Sequence, residues 1–176
     1  KVSVFKSHFS IKLNKNFVYN LQQYISKYKL HLIPTVVVCL YFLYKSLNFN
    51  LHDFGNSYFP ALMILEDQNP TDLIFDIFQF NQYVWKKGYN DVLLDYYLNS
   101  PFCSTFILPI TIFKNAYFAK TFFNSISIIL FIFSLEILAK SDHSKKLILC
   151  FPLLFLIPIQ NNILFGQFYF IIFAFT

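Results

Sequence analysis

The chain alternates long apolar stretches with shorter polar ones, and the apolar stretches are too uniform for the half-buried faces of soluble helices. No charge falls between Lys29 and Lys45, from Leu98 to Phe113, from Thr121 to Leu135, or from Leu147 to Thr176. A helix crossing a bilayer needs roughly 20 predominantly apolar residues. The pattern therefore predicts a first membrane-spanning helix over 30–47, with Lys45 snorkelling to the surface, and another over 116–138 with its Lys and Glu near the ends. The run 147–176 is long enough for one tilted span, or for two with the second cut off. Pro101 to Phe113 is short, a half-span or the start of a span entering from Leu98. The expected fold class is all-α, a polytopic transmembrane helical protein, and the chain reads as a fragment of a longer one.

The polar segments carry their own periodicity. Residues 1–29 hold six Lys and no acid, with Phe17, Val18, Leu21, Tyr24, Ile25 and Tyr28 at helical spacing. They predict a basic amphipathic helix on the cytoplasmic membrane face. The span 30–47 then delivers residues 48–100 to the far side. There Tyr58 to Leu65 is short and apolar, and Asp72 to Lys87 reads as an amphipathic helix. Leu73, Ile74, Ile77, Phe80, Val84 and Trp85 fall near one face, and Asp72 is the expected first-turn acid. Both pieces are expected to lie as interfacial helices in this first external loop. Gly88 to Asp91 predicts a turn. Residues 101–176 hold the further transmembrane helices. Full crossing of the membrane by 101–113 is the expected topology, although it leaves Lys140, Lys145 and Lys146 outside; a re-entrant 101–113 would return them to the cytoplasm.

Composition sharpens this picture in two ways. The chain is 56% hydrophobic and 13% charged, about half the charge usual for a soluble domain. Seven of the nine acids, Asp53, Glu66, Asp67, Asp72, Asp76, Asp91 and Asp95, lie within 48–100, where Lys86 and Lys87 are the lysines. All 14 basic residues are Lys, which suggests a coding bias, so single Phe, Lys or Asn residues carry little weight; bias sets amounts and not positions. Cys39, Cys103 and Cys150 lie in apolar stretches without metal-ligand spacing and read as small buried residues.

Several side chains could carry chemistry. Asp53, in His52-Asp53-Phe54-Gly55 just past the first span, is placed to take a proton from a sugar hydroxyl while a lipid tail stays in the bilayer; read by itself, it is more often an ordinary interfacial acid. His52 could orient it or touch a phosphate. Glu66-Asp67 could share a divalent cation, the one cofactor the chain suggests, although a solvated turn explains the pair better. Lys86 and Lys87 beside Trp85 could meet a phosphate as point charges, or simply snorkel. Gln160, Asn161, Asn162, Gly166 and Gln167 interrupt an apolar stretch, where polar groups face a cavity or another helix. No phosphate-binding glycine loop, zinc pattern or serine elbow occurs, and nothing argues for nucleic acid.

The order of these features resembles membrane-embedded glycosyltransferases of the C-type fold. More narrowly it resembles the polyprenol-phosphate-mannose-dependent mannosyltransferases of bacterial cell envelopes. The matching residues are Asp53-Phe54 with Tyr58-Phe59-Pro60-Ala61, then Asn99-Ser100-Pro101-Phe102 with Leu108-Pro109-Ile110, and finally Gly166-Gln167. The chain departs from the family in lacking Tyr and a second Pro before Pro101-Phe102, and in having Tyr169 where Asn is common. The resemblance implies transfer of a mannose-like hexose from a polyprenyl-phosphate donor to a lipid-linked or cell-envelope glycan acceptor. The reaction would lie at the outer face of a bacterial plasma membrane, with inversion at the sugar and no nucleotide. Asp53 would be the base by that resemblance, and His52, Tyr58, Lys86, Lys87 and Gln167 are the side chains expected on the substrates. A transporter or flippase of lipid-linked sugars, or an accessory membrane protein without activity, are the rival readings. A transporter should show intramembrane charges and repeats, and no repeat is evident.

Overall fold

The computed structural model describes residues 23, 29–66, 73–96, 101–140, 148, 152 and 155–176, and of His52 and Pro101 the backbone only. The basic segment expected over 1–29 lies outside these residues apart from 23 and 29, as do Asp67, Asp72, Lys145, Lys146 and Cys150. The described residues are helical with no strand among them.

Helix α1 (Ile33–Ser46) follows a 3-10 turn at Leu30–Leu32 and carries Pro34 in its first turn, where a missing N–H costs nothing. Helix α2 (His52–Leu65) follows after a short connection. Helix α3 (Ile77–Lys86) is capped by Asp76, whose carboxylate accepts from the backbone N–H groups of Phe78 (3.0 Å) and Gln79 (3.1 Å) and from the Gln79 amide (2.8 Å). These bonds, the Gln79 backbone N–H first, hold the Asp76 carboxyl below the usual carboxylate range. The amphipathic helix expected from Asp72 thus has its cap at Asp76. Of its expected inner face, Ile74, Phe80 and Val84 are buried, whereas Ile77 and Trp85 are exposed.

Helix α4 (Pro101–Ile107) continues as a 3-10 turn, Leu108–Ile112. Helix α5 (Ala116–Leu138) starts at Asn115, whose side chain accepts from Phe118 N–H, and the Tyr89 hydroxyl accepts from Ala116 N–H at 2.8 Å. Helices α6 (Leu156–Phe165) and α7 (Tyr169–Phe175) are joined at Gly166 and bent by 112°. Helix α5 is the one described helix long and apolar enough by itself to cross a membrane, and α6 with α7 would make a second if the bent pair is one span.

Two apolar cores share α5. One gathers Leu51, Phe54, Tyr58 and Phe59 around α2 with Phe80, Ile107 and Phe123. The other packs Cys39 and Phe42 of α1 and Ile159 and Ile163 of α6 on Ile128, Phe131 and Leu135. Asn124 of α5 ties the layers together, donating to Ile163 O at 2.7 Å and to Ser46 Oγ at 3.4 Å. Lys29 pairs with Glu136 at 3.0 Å, so the start of α1 and the end of α5 share one end of the molecule. Helix α5 is apolar outside and buries its most polar residues among apolar ones. Lys120, Asn124, Ser127 and Ser134 are buried, while Phe118, Phe122, Ile126, Ile129, Phe133 and Ile137 form an exposed stripe.

The run 101–113 packs along α2 as helix α4 and its 3-10 continuation. Before it, Asp95 N–H donates to Asn56 Oδ1 at 3.0 Å; after it, the Phe113 carbonyl accepts from the Tyr58 hydroxyl at 2.8 Å. Asn56 and Tyr58 are two residues apart on α2, so Asp95 and Phe113 are both held at the same part of that helix. Seven α-helical and five 3-10 residues also reach only about 20 Å, short of a hydrocarbon core of about 30 Å.

Candidate functional site

Asp53 stands in the first turn of α2, half-buried, where a carboxylate is favoured by the unpaired N–H groups of the helix start. Its Oδ2 accepts a 2.7 Å hydrogen bond from Gln167 Nε2. Gln167 reaches it because the chain reverses at the residue before. Gly166 adopts φ 70°, and both its N–H and that of Gln167 fold back onto the Asn162 carbonyl. Glycine is required there twice over. The left-handed conformation disfavours a side chain, and a Cβ would lie 2.6 Å from Cβ of Phe54. The Gly-Gln step is thus a helix cap pressed against the neighbour of Asp53. Phe168, just beyond, packs on Phe123 at 5.0 Å between ring centroids, and Phe54 on Phe123 at 5.5 Å.

Beside this pair lies a residue that sequence reasoning missed. Lys120 of α5 is 1% exposed, and its ammonium donates to the carbonyls of Asn50 (2.7 Å) and Phe49 (3.3 Å) and sits over the Phe49 ring. Asp53 is the carboxylate that acts on it electrostatically. A buried ammonium is stable only when its donors are used and a negative charge is near, and the chain entering α2 supplies both. Lys120 could be read only as a topological marker near a span end, because its partners are backbone carbonyls some 70 positions earlier.

The other expected site residues divide. Tyr58 is fully buried, stacks on Phe54 at 5.7 Å and gives its hydroxyl to Phe113, so it braces α2 against the end of the 101–113 run. Burial, with Tyr89 and Glu66 nearby, pushes its hydroxyl up to about 12. Lys87 is engaged by Glu66 at 2.5 Å, and the second Glu66 oxygen accepts from the Tyr83 hydroxyl at 2.9 Å. The Lys87 bond holds the Glu66 carboxyl below its usual range, while burial and Glu66 push the Tyr83 hydroxyl well up. Glu66 closes the 14-residue helix that Asp53 opens, so Lys87 stands roughly 20 Å along the helix axis from Asp53. Lys86 edges a small polar hollow of about 220 Å³ with Gln79, Gln82 and Tyr83. The side chain of His52 lies outside the described part.

The suggested cation pair at Glu66-Asp67 finds both Glu66 oxygens already engaged, with Asp67 outside the described residues. Among the described residues no three His, Cys, Asp or Glu side chains gather as metal ligands would. Chemically, the site is one carboxylate, oriented by an amide and flanked by a buried ammonium. It lies where helices with apolar outer surfaces meet the acid-bearing segment. In comparisons with known proteins, no family model, no curated protein and no solved structure matches this chain.

Proposed function

We propose that the chain belongs to a polytopic membrane glycosyltransferase that moves a hexose from a polyprenyl-phosphate donor to a lipid-linked or glycan acceptor, with Asp53 as the base. The observation that carries this reading is the Asp53–Gln167 hydrogen bond. Two of the residues that carry the family resemblance, 114 positions apart, meet at 2.7 Å. The membrane part of the proposal draws support from α5, which buries Lys120, Asn124, Ser127 and Ser134 while its outward stripe is wholly apolar, as a lipid-facing helix would.

In the proposed reaction Asp53 accepts the proton of the acceptor hydroxyl as its oxygen attacks the anomeric carbon. The bond from that carbon to the lipid-phosphate oxygen breaks, the phosphate leaves with the electron pair, and the sugar is inverted. Gln167 fixes the carboxylate rotamer, and Lys120 balances its charge in a poorly solvated setting. The return of 101–113 to α2 supports a topology in which the N-terminus and the Lys140–Lys146 loop are both cytoplasmic, in keeping with the positive-inside rule. The site then faces the outer leaflet of a bacterial plasma membrane.

The test is transfer of labelled sugar from a polyprenyl-phosphate donor by the full chain in membranes, wild type against Asp53→Asn. Loss of transfer at normal expression is expected. Transfer that survives in the variant removes Asp53 as base. A wild type that transfers from no such donor removes the enzyme and favours a flippase or accessory protein.

A further inference from the structure

Helix α3 carries two apolar faces. Phe80 and Val84 turn into the core, while Ile77, Phe78 and Trp85 stand outside, within about 100° of one another around the helix. Phe78 is 77% exposed. The chain that runs back along α3 adds to this outer face. Asn81 exchanges two hydrogen bonds with the Leu94 backbone, at 2.8 and 2.9 Å, and the Trp85 indole N–H donates to the Val92 carbonyl at 3.0 Å. Leu93, between these two anchors, is 74% exposed. Ile77, Phe78, Trp85 and Leu93 thus make one outward patch. Its nearest side-chain donors, the Asn81 amide and the Trp85 indole, are already bonded within the protein, so they lose nothing on leaving water.

Contacts with α2 and α5 set the depth of this patch. Tyr89, just past the end of α3, accepts from the Ala116 N–H where α5 begins. The middle of α3 is tied to another level. Asn81 holds Leu94, Leu94 packs so closely on Gly55 that an added Cβ there would lie 2.9 Å from Leu94 Cδ2, and Asp95 N–H donates to Asn56. This same turn of α2 packs on α5 through Phe54 and Phe123, 5.5 Å apart, and brings Asp53 toward Lys120. Lys120 and Phe123 lie roughly 6–10 Å along α5 from Ala116. With α5 as a span, α3 slopes from the membrane surface at its C-terminal end to the depth of the first turns of the span. At that depth the outer patch meets acyl chains rather than water.

Polarity changes around the helix in keeping with this. Gln82, Lys86 and Gln79 follow the patch around α3 and edge the hollow of about 220 Å³. Among the described residues Lys86 makes no ion pair or hydrogen bond, whereas Lys87 is taken by Glu66. Asp76, the acid nearest in sequence to the hollow, is engaged by the first N–H groups of α3 and by Gln79. Trp85 and Lys86 at the surface end of α3 are the residue types that favour the water–lipid boundary. Tyr83, which lines the hollow, donates to Glu66 at the end of α2 away from Asp53. Lys86 is therefore roughly 20 Å from that carboxylate, too far to hold the phosphate of a sugar reacting there.

We propose that the outer face of α3 is a docking surface for phospholipid of the outer leaflet, with Ile77, Phe78, Trp85 and Leu93 among the acyl chains and Lys86 on a lipid phosphate. Lys86 then serves the bulk lipid and not the substrates, and the docked helix holds the Asp53 turn at a fixed depth. The inference rests on the membrane reading of α5 and not on sugar transfer.

Trp85 is the sole tryptophan of the chain, so the wild type reports on its own surface. The full chain is reconstituted in phosphatidylcholine–phosphatidylglycerol vesicles, and Trp85 emission is followed with lipid brominated high on its acyl chains or with iodide on both faces. Emission is expected to be lost to the brominated lipid and spared by iodide, relative to tryptophan amide in water. Phe78→Trp on a Trp85→Phe background should respond more to lipid brominated deeper in the chain, because Phe78 lies further down the slope. Lys86→Glu should weaken quenching of Trp85 by lipid and open it to iodide.

Iodide quenching of the wild type puts the patch in water and overturns the docking. Protection from both quenchers means that protein covers the patch, and overturns it too. A Lys86→Glu response identical to wild type removes the phosphate contact. Release of the chain from membranes by alkaline carbonate removes the membrane reading of α5 and the docking with it. Iodide quenching in vesicles that still transfer sugar sinks the docking alone, whereas lipid quenching without any transfer keeps the docking and sinks the reaction.

Discussion

Gln167 donates to the Asp53 carboxylate at 2.7 Å across 114 positions of chain. A hydrogen bond to an ionised group contributes about 1.5–3 kcal/mol, and here it selects one carboxylate orientation. Gln167→Leu should therefore lower kcat/KM for sugar transfer about ten- to a hundredfold, with expression retained and melting lowered by about 10 °C at most. Transfer within twofold of wild type would remove Gln167 from the site.

The close approach of Gly166 to Phe54 predicts a contrast between two glycines. At Gly166 a side chain meets both a left-handed backbone and a Cβ contact of 2.6 Å, whereas at Gly88, φ 92°, there is open space within 4 Å. Gly88→Ala should cost about 1 kcal/mol, the conformational term alone. Gly166→Ala should cost about 2–4 kcal/mol and should displace Gln167 as well, so its transfer falls more than its stability. Equal losses in thermal melts of the two variants would contradict the packing of the cap on α2.

Lys120 combines a structural and an electrostatic role, and two substitutions separate them. Lys120→Met removes the donors of the Phe49 and Asn50 carbonyls and the charge near Asp53, and is expected to destabilise the protein by about 2–4 kcal/mol. Lys120→Gln keeps an N–H donor, on a side chain one atom shorter, and loses the charge, so it should recover part of the melting temperature. If it also recovers full transfer, the charge is irrelevant to the reaction and Lys120 is only a brace.

The all-helical class and the helix 116–138 were legible in the sequence because hydrophobic runs report burial or lipid contact directly, and the segment's bounds were those of α5. The role of Tyr58 was not legible. A Tyr beside a candidate base looks the same in sequence whether its hydroxyl faces a substrate or, as here, a backbone carbonyl 55 positions away. The packing of 101–113 against α2 was not legible for a related reason. Its apolarity says only that it avoids water, and the two hydrogen bonds that return it to α2 involve a backbone N–H at Asp95 and a carbonyl at Phe113, which carry no sequence signal. Asp53 and Gln167 each stood out in the sequence but their pairing did not, and the Lys120 contact had no signal.

The Glu66–Lys87–Tyr83 cluster gives the segment a specific acid sensitivity. The Glu66 carboxyl is held below its ordinary value, chiefly by Lys87, so the folded state binds its proton less readily than the unfolded chain. The stabilisation is complete above the ordinary glutamate value of about 4.3 and fades as pH falls toward the lower folded value. Both side chains are about one-third exposed, 34% and 32%, so screening limits the effect to about 0.5–1 kcal/mol. Melting temperature measured from pH 6 down to pH 3 should fall less steeply for Glu66→Gln than for wild type; parallel curves would show that the pair contributes nothing.

The return of 101–113 to α2 makes a prediction about sidedness that the crossing topology reverses. The Ala116 N–H lies on the Tyr89 hydroxyl, and the far end of α5 lies with Lys29 through Glu136. Residues 88 and 114 should therefore share one side of the membrane, and residue 140 should lie on the other. With Cys39, Cys103 and Cys150 replaced by Ser, single cysteines at Gly88→Cys, Lys114→Cys and Lys140→Cys can be labelled with a membrane-impermeant maleimide on intact cells. Labelling of the first two without the third is expected on the proposed topology, in which the Lys-rich N-terminal end is cytoplasmic. If 101–113 crosses instead, Lys114→Cys is protected while Gly88→Cys and Lys140→Cys react together. That pattern would separate α5 from the α2 segment by a full membrane thickness and would break the contact between Lys120 and the chain leading to Asp53.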